Sequence, residues 1–155
     1  MFSDTDNIDS AVPPALIQAY RETHYKVFAR PGSAEAAFTL LIGHACAGLR
    51  AAHRLHGVGC SAYITACNPN SQALSQADNA NRQHELAREL RARGLRFDEG
   101  VGQHPSNGWE GGQGEPSFLA YGLDLDAAKV LGRRFGQNAI VWAGADAVPR
   151  LVMLK

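Results

Sequence analysis

The sequence predicts an α/β fold, a mixed sheet with helices packed on it. Three observations carry that prediction. Segments with strand patterning alternate with segments at helical spacing, turn-linked strand pairs stand near both ends, and the 45% hydrophobic and 19% charged composition is that of a globular chain. A chain of 155 residues buries roughly 68–70% of the surface its unfolded form exposes, enough for one sizeable core. The strand pairs require some antiparallel pairing within the sheet.

Residues 1–14 are polar and end in Pro13-Pro14, so a flexible leader is expected ahead of one domain over 15–155. Leu16, Ile17 and Tyr20 then start a short amphipathic turn of helix. Tyr25 to Phe28 alternates in the strand manner, Arg30-Pro-Gly-Ser33 is a turn signal, and Phe38 to Ile42 is rich in strand formers and halted by Gly43. These make a β-hairpin. Ala34 to Ile42 also reads as the opening of one long helix reaching His56, because Ala34 to Ala37 favour helix and periodicity does not arbitrate short apolar runs. Both readings stay open for residues 34–42.

Ala45, Leu49, Ala52 and His56 recur at helical spacing, with Gly57 and Gly59 as the stop. Cys60 to Cys67 is a mostly apolar run ending in Asn68-Pro69, a strand buried on both faces in the middle of the sheet. From Ser75, an N-cap, to Arg93 the chain is helical, with Ala77, Leu86 and Leu90 on one side and Gly94 as the close. Leu95 to Val101 forms a strand, and Gly102 to Gly114 is a polar loop with five glycines. Ser117 to Tyr121 is a further strand, Asp124 caps a helix through Phe135, and Asn138–Trp142 pairs with Arg150–Leu154. The expected order is ββαβαββαββ.

Charge and cysteine usage narrow the partners. Lys plus Arg equals Asp plus Glu at 15 each, so no overall field draws a polyanion, and nucleic acid is disfavoured as a partner. Arg82, Arg88, Arg91, Arg93 and Arg96 crowd one stretch, but Glu85, Glu89, Asp98 and Glu99 are interleaved, as on a solvated helix face. Cys46, Cys60 and Cys67 are odd in number and lack CxxC spacing, which fits reduced thiols and a cytoplasmic location. No run approaches the roughly 18 apolar residues of a membrane span, so no membrane partner is expected.

Several catalytic patterns are missing. His84-Glu85 begins like a zinc-protease helix, but Arg88 stands where HExxH needs its second His. No glycine cluster is followed by Lys as a phosphate loop requires, and Gly100-Val-Gly102 meets Pro105 where GxGxxG needs Gly. His53 and His56 lie three apart on a helix, yet no carboxylate or thiol joins them at matching spacing, so neither metal nor cofactor is expected.

The informative stretch is Thr65-Ala-Cys-Asn68-Pro-Asn-Ser71, followed by Ser75 and by Asn79, Asn81 and Arg82. A buried strand there ends in hydroxyls and amides that lead into a helix N-terminus, the kind of crevice that holds ligands outside strand ends in open α/β sheets, provided a neighbouring strand runs parallel. The structural reading beside it is that Asn68-Pro69 turns, Ser75 caps and the Asn amides satisfy loop backbone. Trp109 in the glycine-rich loop either covers a ligand or plugs a core edge, and Glu115 before Ser117 is either a base or an ion-pair partner. Gln137-Asn138 are amide ligands or helix-end satisfiers.

The chain resembles a bacterial family known as domain of unknown function 3293, from about Tyr20 to Leu154. The residues that carry the resemblance are Thr23 and Tyr25, Ile64-Thr-Ala-Cys-Asn-Pro69, Asn79 with Asn81-Arg82, Trp109, Glu115-Pro-Ser-Phe118 and Phe135-Gly-Gln-Asn-Ala-Ile140. The family's strand end carries an aromatic residue where Cys67 stands, so a thiol is not required there. The resemblance implies a bacterial, intracellular α/β domain and brings no reaction with it.

Two functions are therefore expected as alternatives. In the first, Asn68, Ser71, Asn79, Arg82, Trp109 and Gln137 bind a small polar or anionic, nucleotide-like ligand, with Arg82 neutralising it and Glu115 as the proton acceptor of a hydrolase or transferase. In the second, Trp109 and the glycine-rich loop contact a protein partner in a regulatory module without catalysis.

Overall fold

The computed structural model describes residues 10–33, 35–107 and 114–155. Among them are helices α1 (Pro14–Glu22), α2 (Ala47–His56), α3 (Gln76–Ala92) and α4 (Leu125–Arg134). The strands are β1 (His24–Phe28), β2 (Ala36–Leu40), β3 (Ser61–Ile64), β4 (Phe97–Gln103), β5 (Glu115–Tyr121), β6 (Ala139–Ala143) and β7 (Arg150–Met153). All ten elements of the expected order are present. The helical turn begun by Leu16 and Ile17 is the nine-residue α1, with Pro14 in its first turn, where the missing N–H costs no hydrogen bond. Residues 36–40 pair with β1, which settles them as strand.

The sheet order is β2-β1-β4-β5-β3-β6-β7, and every pairing is antiparallel. Antiparallel neighbours coexist with alternating strands and helices because the crossovers skip one place. β3 and β4, joined through α3, enclose β5; β5 and β6, joined through α4, enclose β3. Two split βαβ units interlock in this way, the ferredoxin-like arrangement, with the β1–β2 hairpin added at one side and β7 at the other. β3 is interior, as expected, but both its neighbours run against it, so the crevice rule for parallel sheets does not govern its end.

Helices α3 and α4 cover one face of the sheet, over a core that includes Ile64, Leu86, Leu90, Phe118 and Leu131. Leu86, Leu90 and Leu131 are wholly buried, and each such side chain contributes roughly 1.5–3 kcal/mol. The opposite face carries Tyr25, Val27, Leu49, Tyr63, Leu119 and Val141 under α2. Beside it, Ile17 of α1 packs with Val12, Leu151 and Met153. Of the leader expected over 1–14, Ser10 donates its hydroxyl to the Lys155 carbonyl and Val12 is buried. Ser75 and Asp124 accept from the backbone amides of Asp78 and Ala127, the caps their sequence positions foretell.

The sheet curls, and this curl positions the site. A flat sheet would hold β1 and β3 roughly 14 Å apart, three strand spacings. Yet the rings of Tyr25 and Tyr63 meet edge to face at 5.3 Å, and Tyr63 donates its hydroxyl to the Lys26 carbonyl at 2.8 Å. Gly100 of the intervening β4 clears the path, since a Cβ there would stand 2.1 Å from the Lys26 oxygen and 2.8 Å from the Tyr63 hydroxyl. No helix among the described residues is long and apolar enough to cross a membrane.

Candidate functional site

Past Ile64 the chain leaves the ladder but stays anchored. Thr65 donates its hydroxyl to the Pro116 carbonyl at 2.6 Å, and the Ala66 amide donates to Gln83 Oε1 of α3 at 2.6 Å. Arg82 of α3 donates Nε to the Ala66 carbonyl at 2.6 Å and Nη2 to the Phe135 carbonyl, so its guanidinium ties the strand end to the end of α4. Asn68 is fixed from two sides: its amide N–H donates to Asn79 Oδ1, and its Oδ1 accepts from Asn79 Nδ2 and from the Leu74 amide.

The turn that follows is unusual in its backbone. Asn68, Asn70 and Ser71 all adopt positive φ, at 47°, 58° and 59°. Asn tolerates this region, whereas Ser visits it rarely, and such conformations persist only where surroundings over-determine them. Here the Asn70 amide donates to the Gly136 carbonyl, and the Ser71 hydroxyl sits 2.9 Å from both the Tyr20 hydroxyl and Asn138 Nδ2. Asn138 also donates to the Tyr20 hydroxyl at 3.0 Å, so α1, the turn and the start of β6 close on one another.

These pieces wall a hollow of about 260 Å³ on the concave face of the sheet. Tyr20 and Thr23 come from the end of α1, Tyr25 from β1, Tyr63 and Thr65 from β3 and its extension, Asn68 and Ser71 from the turn. Glu115 and Ser117 face in from β5, two residues apart as strand alternation requires, and Gln137 and Asn138 close it before β6. His104 stands in the wall after β4, its Nε2 3.0 Å from Glu22 Oε1. Among the described residues no Lys or Arg lines the hollow.

Glu115 is its ionisable centre. Burial raises the carboxyl above its ordinary pKa, and the hydrogen bond that Asn68 Nδ2 donates to Oε2 at 3.0 Å offsets part of that rise. Oε1 has no hydrogen-bond partner among the described residues. Tyr25 and Tyr63 are pushed up chiefly by burial and stay protonated, as does the buried Cys67 thiol. Such a site takes up or releases a proton at Glu115 and holds hydrogen-bonding groups around it.

Of the residues expected from sequence, Asn68, Ser71, Glu115 and Gln137 are brought together in the hollow. Gln137 donates Nε2 to the Cys67 and Phe135 carbonyls, so it also holds main chain. Asn79 and Arg82 are outside the lining, engaged with Asn68 and with two backbone carbonyls. Trp109 falls outside the described residues. The first turn of α3 opens instead on a neighbouring groove with Leu74, Gln76 and Ala77, which shares Asn68 and Glu115 with the hollow. The expected histidine pair diverges: His53 Nε2 sits 2.8 Å from the buried Ser61 hydroxyl, while His56 stacks on Tyr121 at 3.9 Å.

Tyr20 and Tyr63 complete the hollow and were not among the residues singled out as ligands, while Asn138, weighed beside Gln137 as an amide ligand, lines it too. Tyr63 shares a face with Thr65 by strand alternation, and Gly100 and Gly102 two apart on β4 are the sequence mark of something lying across that strand. Tyr20 carries no local signal, because only the docking of α1 brings it here. A family model described as protein of unknown function (DUF3293) matches residues 64–140, a span that includes Thr65, Asn68, Ser71, Glu115, Ser117, Gln137 and Asn138 but not Tyr20, Thr23, Tyr25 or Tyr63. No curated protein and no solved structure matches the chain.

Proposed function

We propose that this chain, whose residues 64–140 belong to the DUF3293 family, binds a small polar molecule in the hollow and exchanges a proton with it through Glu115. One observation carries the reading: Glu115 is a carboxyl held in a concave, largely buried place with one oxygen fixed by Asn68 and, among the described residues, no Lys or Arg lining the hollow beside it. A buried carboxyl that serves stability alone is paired with a positive charge, and an unpaired one costs free energy that function explains. In a hydrolase or transferase step, Glu115 takes the proton from an attacking water or hydroxyl and returns it to the leaving group.

The space sets the scale of the ligand. At ~30 Å³ per water molecule, 260 Å³ holds roughly nine waters, so the hollow by itself suits a small metabolite or the polar head of a larger one that reaches into the neighbouring groove. Arg82 and Asn79 act behind the wall, as the residues that keep Asn68 and the strand end in place. The free cysteines at positions 46, 60 and 67 fit the bacterial cytosol as the location.

Thermal denaturation against a panel of small metabolites tests this. A ligand at a hundred times its Kd stabilises by about 2.7 kcal/mol, which for a domain of this size raises Tm by roughly 5–10 °C. We expect such a shift in the wild type and its loss in Glu115→Gln. A panel that leaves both proteins unmoved, or moves both equally, removes Glu115 from the function.

A further inference from the structure

We infer that the ligand of the hollow is a small organic cation carrying N–H donors, a primary ammonium or a guanidinium group, on the evidence of where the protons of the lining point. This rests on the hollow being a binding site. Five hydroxyls of the lining each spend their single proton on a backbone carbonyl: Thr23 on Ala19, Tyr25 on Tyr20, Tyr63 on Lys26, Thr65 on Pro116 and Ser117 on Glu115. A hydroxyl has one proton and two lone pairs, so each of these oxygens keeps acceptor capacity and no donor, one lone pair in the case of Thr65, which already accepts from the Cys67 amide.

The amides follow the same pattern. Gln137 directs its NH₂ to two carbonyls, which fixes its orientation and leaves its oxygen as an acceptor. Asn68 donates to Glu115 and Asn138 donates to the Tyr20 and Ser71 hydroxyls, leaving the Asn138 side-chain oxygen unengaged among the described residues. With Glu115 as the charge, no Lys or Arg in the lining among the described residues, and one proton of the Tyr20–Ser71 pair as an available donor, the hollow presents mostly lone pairs and negative potential. An ammonium brings three donors and a guanidinium five, to meet these acceptors and the carboxylate. An anion would meet a carboxylate and lone pairs, and at the side of a half-enclosed hollow that repulsion is screened less than in bulk water.

Isothermal titration of the full chain with n-propylammonium and guanidinium, against n-propanol and propionate of similar shape and against potassium and magnesium chloride, decides the matter. We expect saturable binding of an organic cation, at least about tenfold tighter than propanol or propionate, and weakened about tenfold or more by Glu115→Gln, since a charge-assisted hydrogen bond is replaced by a neutral one. The wild type supplies an arm that needs no variant: affinity for the cation falls as acid protonates Glu115. Among the described residues the other titratable groups of the hollow are Tyr20, Tyr25 and Tyr63, the last two raised by burial, and His104 against Glu22, while the groove that shares Glu115 adds Lys26, the buried Cys67, His84 and Glu99; His104→Gln and His84→Gln are the controls. Loss of the pH dependence in His104→Gln or His84→Gln, or saturation by the metal ions alone, overturns the inference. Propionate or propanol binding more tightly than propylammonium overturns it while leaving the hollow a binding site. No binding by any probe or by the metabolite panel removes the site together with its ligand.

Discussion

At the scale of single residues, Glu115 links the site to the stability of the fold. Burial places its folded-state pKa above the roughly 4.3 of an unfolded glutamate. Below that value both states hold the proton and the shift has no effect on stability. Between the two values the folded chain binds more protons than the unfolded one, so stability falls as pH rises and stays lower above the folded pKa. Other carboxyls act in the opposite sense: Asp146, pulled down to about 2 by its hydrogen bond from Arg150, stabilises above the unfolded value and loses that contribution in acid. The difference between wild type and Glu115→Gln therefore isolates the one group. In urea unfolding, Glu115→Gln should gain on the wild type as pH climbs from about 4 to 7, because its carbonyl still accepts from Asn68 without a buried charge. A constant difference across that range would mean that Glu115 is solvated in the folded state.

At the scale of elements, β4 does what neither its neighbours nor its own propensity announces. Glycines weaken strands, and β4 carries two on one face, Gly100 and Gly102. Their absence of side chains lets the Tyr63 ring lie across to β1 and lets the Tyr25 ring approach it, which curls the sheet into the wall of the hollow. Gly100→Ala should cost about 3 kcal/mol in chemical denaturation, the upper range for overpacking, because its Cβ meets a backbone oxygen that cannot rotate away. The same variant should lose ligand stabilisation even under conditions where it remains folded. An alanine accepted at less than about 0.5 kcal/mol would show that the sheet flattens freely and that the curl is not specified at this strand.

At the scale of the whole molecule, the hollow exists because segments far apart in the chain are locked to each other. Asn138 is the joint: buried before β6, it donates to Tyr20 of α1 and Ser71 of the turn. Asn138→Ala leaves two hydroxyls short of a donor and should cost about 1–3 kcal/mol. By hydrogen exchange, α1 and residues 68–71 should both lose protection while the strands beneath α3 and α4 keep theirs. Loss of protection in only one of the two segments would show that they are held separately.

Local chemistry was legible in the sequence because it is set by neighbours along the chain. The ten elements from β1 to β7, the Ser75 and Asp124 caps, and the interior place of β3 follow from periodicity and from turn and cap residues that act within a few positions. The approach of Asn68, Ser71, Glu115 and Gln137 was anticipated as a pattern of polar residues at strand ends, without the geometry that joins them. Pairing direction belongs to the tertiary structure, since a strand that joins a helix looks the same whether its sheet neighbour is the next strand or one inserted later. So does the use of Arg82: a guanidinium at a helix start reads as an anion ligand until two carbonyls from distant segments are seen to occupy it. The direction of hydroxyl protons, on which the charge preference of the hollow depends, is decided by which carbonyls the folded backbone brings within reach.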